Sequence, residues 1–125
     1  MTSWGDDPEL LATFREEVEE RLASLQAGLL ALEGAGSPRQ VVGGLFRDAH
    51  TVKGSARMLG LEHVLHVAHA MEALLGALRD NRLTVRRDLV DLLLTACDGI
   101  ARGLPGGELD GDPMSSLVAA LQAAV

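Results

Sequence analysis

The chain has 125 residues, enough for one domain (1–125) that buries a core without disulfides or a metal. Apolar residues make up 47% but aromatics only 2%, so the core has to be built from Leu, Val and Ala, which favours helices. The net charge of −7 argues against nucleic acid as a partner, and no apolar run reaches the length of a membrane span. The acidic start, Asp6, Asp7 and Glu9, lacks the cations of a signal peptide, so a cytoplasmic chain is expected. The single cysteine, Cys97, forms neither an intramolecular disulfide nor a cysteine metal cluster, and it reads as a small buried apolar residue.

Five helices are predicted, over roughly 7–33, 38–59, 62–80, 85–103 and 113–125. Asp7-Pro8-Glu9 reads as an N-cap, a proline at the first helical position and an acid in the first turn. Leu11, Phe14, Val18, Leu22, Leu25, Leu29 and Leu32 then follow three- and four-residue steps to Gly34, a C-terminal cap. The outer face, Glu16, Glu17, Glu19, Glu20 and Arg21, reads as solvated; no pattern assigns a role to Trp4 in the arm before it. Ser37-Pro38-Arg39-Gln40 is a capping box that starts the second helix, with the stripe Val42, Leu45, Ala49, Val52, Ala56 and Leu59. Gly43-Gly44 so early in a helix is unfavourable and predicts close packing against a neighbour.

Gly60 followed by Leu61 predicts a sharp reversal into the third helix, whose stripe is Val64, Val67, Ala68, Met71, Leu74, Leu75 and Leu78. The pattern breaks around Asn81. Thr84 is the candidate cap of a fourth helix with Leu89, Leu92, Leu93, Ala96 and Ile100 inward, ending in Gly103-Leu104-Pro105-Gly106-Gly107. Asp112-Pro113 repeats the cap-plus-proline signal for a short fifth helix carrying Leu117, Val118, Leu121 and Val125. Short turns throughout suit an all-α, up-and-down antiparallel four-helix bundle with the fifth helix appended.

His50 stands out on the second helix. At about 100° per residue, Arg47, Lys53, Gly54 and Arg57 fall within about 60° of its direction, opposite the apolar stripe. The cations disfavour a further positive charge beside them, and a neutral imidazole is a nucleophile. Arg and Lys also hold phosphoryl groups. Gly54, one turn beyond His50, costs a helix about 1 kcal/mol relative to Ala, which implies a need for open space beside the imidazole. Counting from Gly60, His50 lies about 15 Å before the turn, while His69 and Glu72 lie about 14 and 18 Å after it. Both therefore come level with His50, where a carboxylate accepts the Nδ1 proton, fixes the tautomer and leaves Nε2 to attack.

His50-x-x-Lys53-Gly54 with Gly60 resembles the phosphoacceptor helix of histidine phosphotransfer (HPt) domains. The string Leu45-Phe46-Arg47-Asp48-Ala49-His50-Thr51-Val52-Lys53-Gly54, with His69-Ala70-Met71-Glu72 downstream, is similar to the N-terminal HPt domain of CheA-type chemotaxis histidine kinases over nearly the whole chain. The resemblance implies a phosphoryl carrier of a two-component system, loaded at His50 from ATP by a separate kinase domain and unloaded onto an aspartate of a response regulator receiver domain. It makes Glu72 the residue that orients His50, with Lys53 and His69 completing the polar cluster. Gly54 gives access, and Arg47 and Arg57 are candidate partner contacts. ATP and Mg²⁺ are expected to come through the partners, and no metal is assigned to the chain. The domain itself is expected to be monomeric.

If the natural chain continues past Val125, the resemblance implies further kinase domains. Otherwise a free-standing phosphorelay carrier is implied. Two other readings fit less well. A dimerisation histidine of a sensor kinase typically sits in His-Glu/Asp-x-x-x-Pro, whereas Thr51-Val52-Lys53 follows His50, the next proline is Pro105, and no glycine-rich nucleotide-binding box is present. An inert helical interaction module leaves the His50 cluster without a purpose. The ladder His63, His66 and His69 drifts about 60° per step with no carboxylate or cysteine to complete a tetrahedral set, so His63 and His66 read as solvated surface.

Overall fold

A computed structural model describes residues 7–32, 34, 38–104 and 112–125. Trp4, the Ser37 cap and Pro105-Gly106-Gly107 lie outside them. The helices are α1 (Pro8–Leu32), α2 (Pro38–Leu59), α3 (Glu62–Arg79), α4 (Arg87–Gly103) and α5 (Asp112–Ala123), with no strand among the described residues. Each of α1 to α4 packs on the next and α4 closes back onto α1, giving the expected four-helix bundle. The α5 helix lies outside it, against α3 and α4.

The ends of the helices follow from local chemistry. The Asp7 carboxylate accepts from the Glu9 N–H at 3.0 Å and the Leu10 N–H at 3.4 Å, capping α1. Gly60 adopts φ 71°, so that its own N–H reaches the Arg57 carbonyl and the Leu61 N–H reaches the Ala56 carbonyl. That pair of bonds reverses the chain within two residues and sets α3 back along α2. Asn81, φ 61°, ends α3 by the same pattern, with Arg82 N–H donating to the Ala77 carbonyl. Thr84 does not cap α4. Leu83 and Val85 lie against the core and keep the chain extended through Arg86, the actual N-cap residue, whose guanidinium pairs with Asp88.

The predicted stripes of α2 and α3 are buried residue for residue, and so is that of α1 from Phe14 to Leu32. At the start of α1, Leu10 rather than Leu11 packs on the core. On α4, Val90 and Cys97 join the interior while Leu92 is only partly covered, and burial pushes the Cys97 thiol up to about 12. On α5, Leu121 is buried but Val125, beyond the helix end, is 52% exposed. Among the described residues no polar side chain is buried, so stability rests on apolar area, about 1.5–3 kcal/mol per buried Leu or Val. No helix among them is long and apolar enough to cross a membrane.

Gly43 and Gly44 are not packed against a neighbour. A Cβ at Gly43 would meet nothing within 4 Å, and one at Gly44 only the Arg47 guanidinium at 3.9 Å. Close approach occurs at Gly28 and Gly76 instead, where an added Cβ would come within 2.7 Å of Leu45 and 3.4 Å of Phe46.

Candidate functional site

The reversal at Gly60 lays α3 antiparallel to α2 and brings two polar edges together above the core. From α2 come Phe46, His50 and Lys53, at i, i+4 and i+7; from α3 come Glu72, Gly76 and Arg79 at the same spacing. Residues so spaced share one helix face, so each helix presents a single row to the other.

Glu72 is the hub. Its Oε2 lies 2.6 Å from His50 Nδ1 and its Oε1 accepts from Lys53 Nζ at 2.9 Å. Its side chain is 15% exposed and that of Lys53 13%, whereas that of His50 is 64% exposed. Burial works to raise the Glu72 carboxyl, but the hydrogen bonds from Lys53 and His50, with their charges, outweigh it and hold it below the ordinary glutamate value of 4.5. Glu72 is thus a carboxylate at neutral pH. A carboxylate has no proton to give, so Nδ1 carries the proton in this contact and, in the neutral ring, the free lone pair sits on Nε2.

The structure therefore brings together three of the residues singled out in the sequence: His50, Lys53 and Glu72. His69, in the register of the other pairs, stands level with Lys53. Its exposed ring makes no hydrogen bond to the trio and instead lines a shallow depression shared with α5, beside His66, Val118 and Gln122. Arg47, Gly54 and Arg57 are exposed along the same side of α2. A Cβ at Gly54 would meet nothing within 4 Å, so no packing requirement explains the glycine. His63 and His66 are exposed on the α5 side of α3.

Two neighbours were missed. The Phe46 ring lies parallel to the His50 imidazole, 10° between planes and 6.4 Å between centroids, and the Arg79 guanidinium sits over the Phe46 ring at 4.2 Å. The i, i+4 spacing of Phe46 and His50 was the signal available. Asp48 faces the other way and ties α2 to α1, accepting from Ser24 Oγ at 2.7 Å, with Arg21, on the exposed face of α1, 3.6 Å away.

Comparisons with known proteins identify the family and the fold. The Hpt domain family matches residues 9–103. The chemotaxis protein CheA of Listeria monocytogenes is 42% identical over 86 residues, covering 69% of this chain and 14% of that protein, so the chain spans about a seventh of its relative's length. Among solved structures, the phosphorylated P1 domain of CheA3 from R. sphaeroides, in complex with CheY6, superimposes with a TM-score of 0.81 at 31% identity over 92% of this chain and 94% of that one. The CheA phosphotransferase domain from Thermotoga maritima gives 0.74 at 30% identity over 77% and 91%. An exposed histidine hydrogen-bonded to a carboxylate on an antiparallel helix pair thus sits in a fold and sequence shared with these domains: the chain belongs to the Hpt domain family and is a phosphotransfer domain of the CheA type.

Proposed function

We propose that His50 is the phosphoacceptor, and the observation that carries this is the Glu72 bridge: one carboxylate bonded to His50 Nδ1 and to Lys53, beneath an imidazole that is mostly open to solvent. In the first transfer the Nε2 lone pair attacks the γ-phosphorus of ATP held by a kinase domain, in the same or another chain. The N–P bond forms as the bond to the β,γ-bridging oxygen breaks, and ADP leaves. The ring, still protonated at Nδ1, gains positive charge, which the Glu72 carboxylate stabilises. In the second transfer an aspartate oxygen of a response regulator attacks the phosphorus, the N–P bond breaks and Nε2 regains its lone pair.

Lys53 keeps Glu72 ionised and in place. His69 stands level with Lys53, but its ring lines the depression toward α5 and is left out of the transfer; Gly54 leaves room for the partner, and Arg47 and Arg57 meet it. ATP and Mg²⁺ enter with the partners, because both Glu72 oxygens are engaged by His50 and Lys53 and are not offered to a cation. Loading from ATP supports a cytoplasmic location.

The test is transphosphorylation by a CheA-type kinase core with radiolabelled ATP. Acid-labile, base-stable label on the wild type and none on His50→Gln is the expected result. Equal label on both, or none on the folded wild type across several competent kinase cores, would leave the inert-module reading.

A further inference from the structure

Glu72 alone does not fix the His50 ring. A single hydrogen bond at Nδ1 anchors one point of the imidazole and leaves the ring plane free to tilt about it, and a side chain with 64% of its surface exposed has little else to hold it. A second neighbour is needed to aim Nε2, and Phe46, one turn earlier on α2, lies parallel to the imidazole within 10° at 6.4 Å between centroids, inside the range of offset stacking.

Phe46 is itself unusually well held for a residue near the surface. Its inner edge packs on the core. Gly76 lies so close that an added Cβ would stand 3.4 Å from the ring, and the Arg79 guanidinium covers it at 4.2 Å from the centroid. A cation over an aromatic face is favourable by about 0.5–1 kcal/mol at an exposed site. The same row of α3, Glu72, Gly76 and Arg79, therefore grips both neighbours of the imidazole: Glu72 directly, and Phe46 through Gly76 and Arg79.

We propose that Phe46, clamped by Gly76 and Arg79, is a positioning residue for phosphotransfer, setting the plane of the His50 ring while Glu72 sets its tautomer. The proposal rests on His50 being the phosphoacceptor, but its first readout does not. Long-range ¹H–¹⁵N spectra of the unphosphorylated domain report the His50 ring nitrogens and ring dynamics directly. In Phe46→Leu the ring loses its aromatic neighbour, so the His50 signals broaden or average between orientations, and labelling by the kinase core slows about tenfold with the helical circular dichroism unchanged. Phe46→Tyr keeps the ring and restores both readouts. Arg79→Met, at a side chain 42% exposed, removes the cation without opening the core and slows labelling two- to fivefold, covering the case in which Phe46→Leu fails to fold.

Unchanged His50 spectra and labelling in both Phe46→Leu and Arg79→Met would overturn the proposal, and so would a loss in Phe46→Leu that Phe46→Tyr fails to restore. If the wild type takes no label at His50, the phosphoacceptor reading fails, while the spectra still decide whether Phe46 orders the ring.

Discussion

The α3 helix serves two histidine-bearing faces, and they differ in everything except the presence of imidazoles. Toward α2, it supplies Glu72, Gly76 and Arg79 to a ring on the neighbouring helix, and His50 receives a carboxylate at 2.6 Å and an aromatic plane. Toward α5, His63, His66 and His69 follow one another at three-residue steps along a shallow depression, and none has a hydrogen-bonded partner among the described residues. Three histidines on one helix make a less chemical surface than one histidine between two helices. A helix can repeat a residue type along itself, but it takes a second helix to bring an acceptor to a ring nitrogen.

The most direct way to break this comparison is to remove an imidazole from each face. His50→Gln is expected to lose all label in the transphosphorylation assay. His63→Gln and His66→Gln, exposed and unpaired, are expected to change the labelling rate less than twofold and stability by less than about 0.5 kcal/mol. Label lost in His63→Gln or His66→Gln, in a folded protein, would show that the α5 side belongs to the chemistry.

Glu72→Gln tests the second-helix partner. The amide keeps the shape but provides no charge to stabilise the phosphorylated ring and no compulsion on the tautomer. Replacing a carboxylate that orients a metal-bound histidine commonly costs 10–100-fold in activity, and by analogy we expect labelling to slow within that range here, with the fold retained. Labelling at the wild-type rate would reduce Glu72 to a structural ion pair with Lys53.

Much of this was legible in the sequence, for physical reasons that also mark where legibility stopped. The caps at Asp7 and Gly60 and the apolar steps placed the helices within about two residues, because local bonds and burial periodicity act along the chain. Glu72 could be reached because rise per residue converts a turn at Gly60 into a level across the pair. Phe46 and Arg79 could not: a phenylalanine beside a Leu stripe looks like core, and an arginine near a helix end looks like surface, until Gly76 lets the two helices come close enough for the Arg79 guanidinium to cover the Phe46 ring. Thr84 and Val125 failed because Leu83, Val85 and Ala124 made tertiary contacts that local propensity does not see. Gly43-Gly44 has no packing partner, and nothing in the structure explains the pair.

The ionic half of the site sharpens the comparison through pH. The Glu72 carboxyl titrates below 4.5 in the folded protein and near that ordinary value when unfolded. Its contribution to stability is therefore present in full above about pH 4.5 and disappears as the pH falls through the lower folded value. Glutamine does not titrate. The stability gap between wild type and Glu72→Gln, about 1.5–3 kcal/mol at neutral pH for charge-assisted hydrogen bonds, should be full above pH 4.5 and narrow as the pH falls below it in urea denaturation. Comparing the two variants cancels the other carboxylates. A gap that stayed constant as the pH fell below 4.5 until the fold was lost would mean that shape, not charge, holds Lys53 and His50 to residue 72.

Gly54 provides the smallest expected change at the His50 face and the one that best separates folding from function there. An alanine methyl there would meet nothing within 4 Å, so it brings no clash, and replacing a mid-helix glycine should raise stability by about 0.5–1 kcal/mol, read as a higher urea midpoint. With His50 as the proposed phosphoacceptor, the same methyl, one turn from it and projecting into the open, stands on the side from which a partner domain would approach Nε2. Gly54→Ala is accordingly expected to be more stable yet two- to fivefold slower in transfer to the regulator, with the larger Gly54→Leu slower still. A stabilised protein that transfers at the wild-type rate in both variants would mean that the opening is not used. The partner would then reach Nε2 from the Phe46 side of the ring, over Arg79.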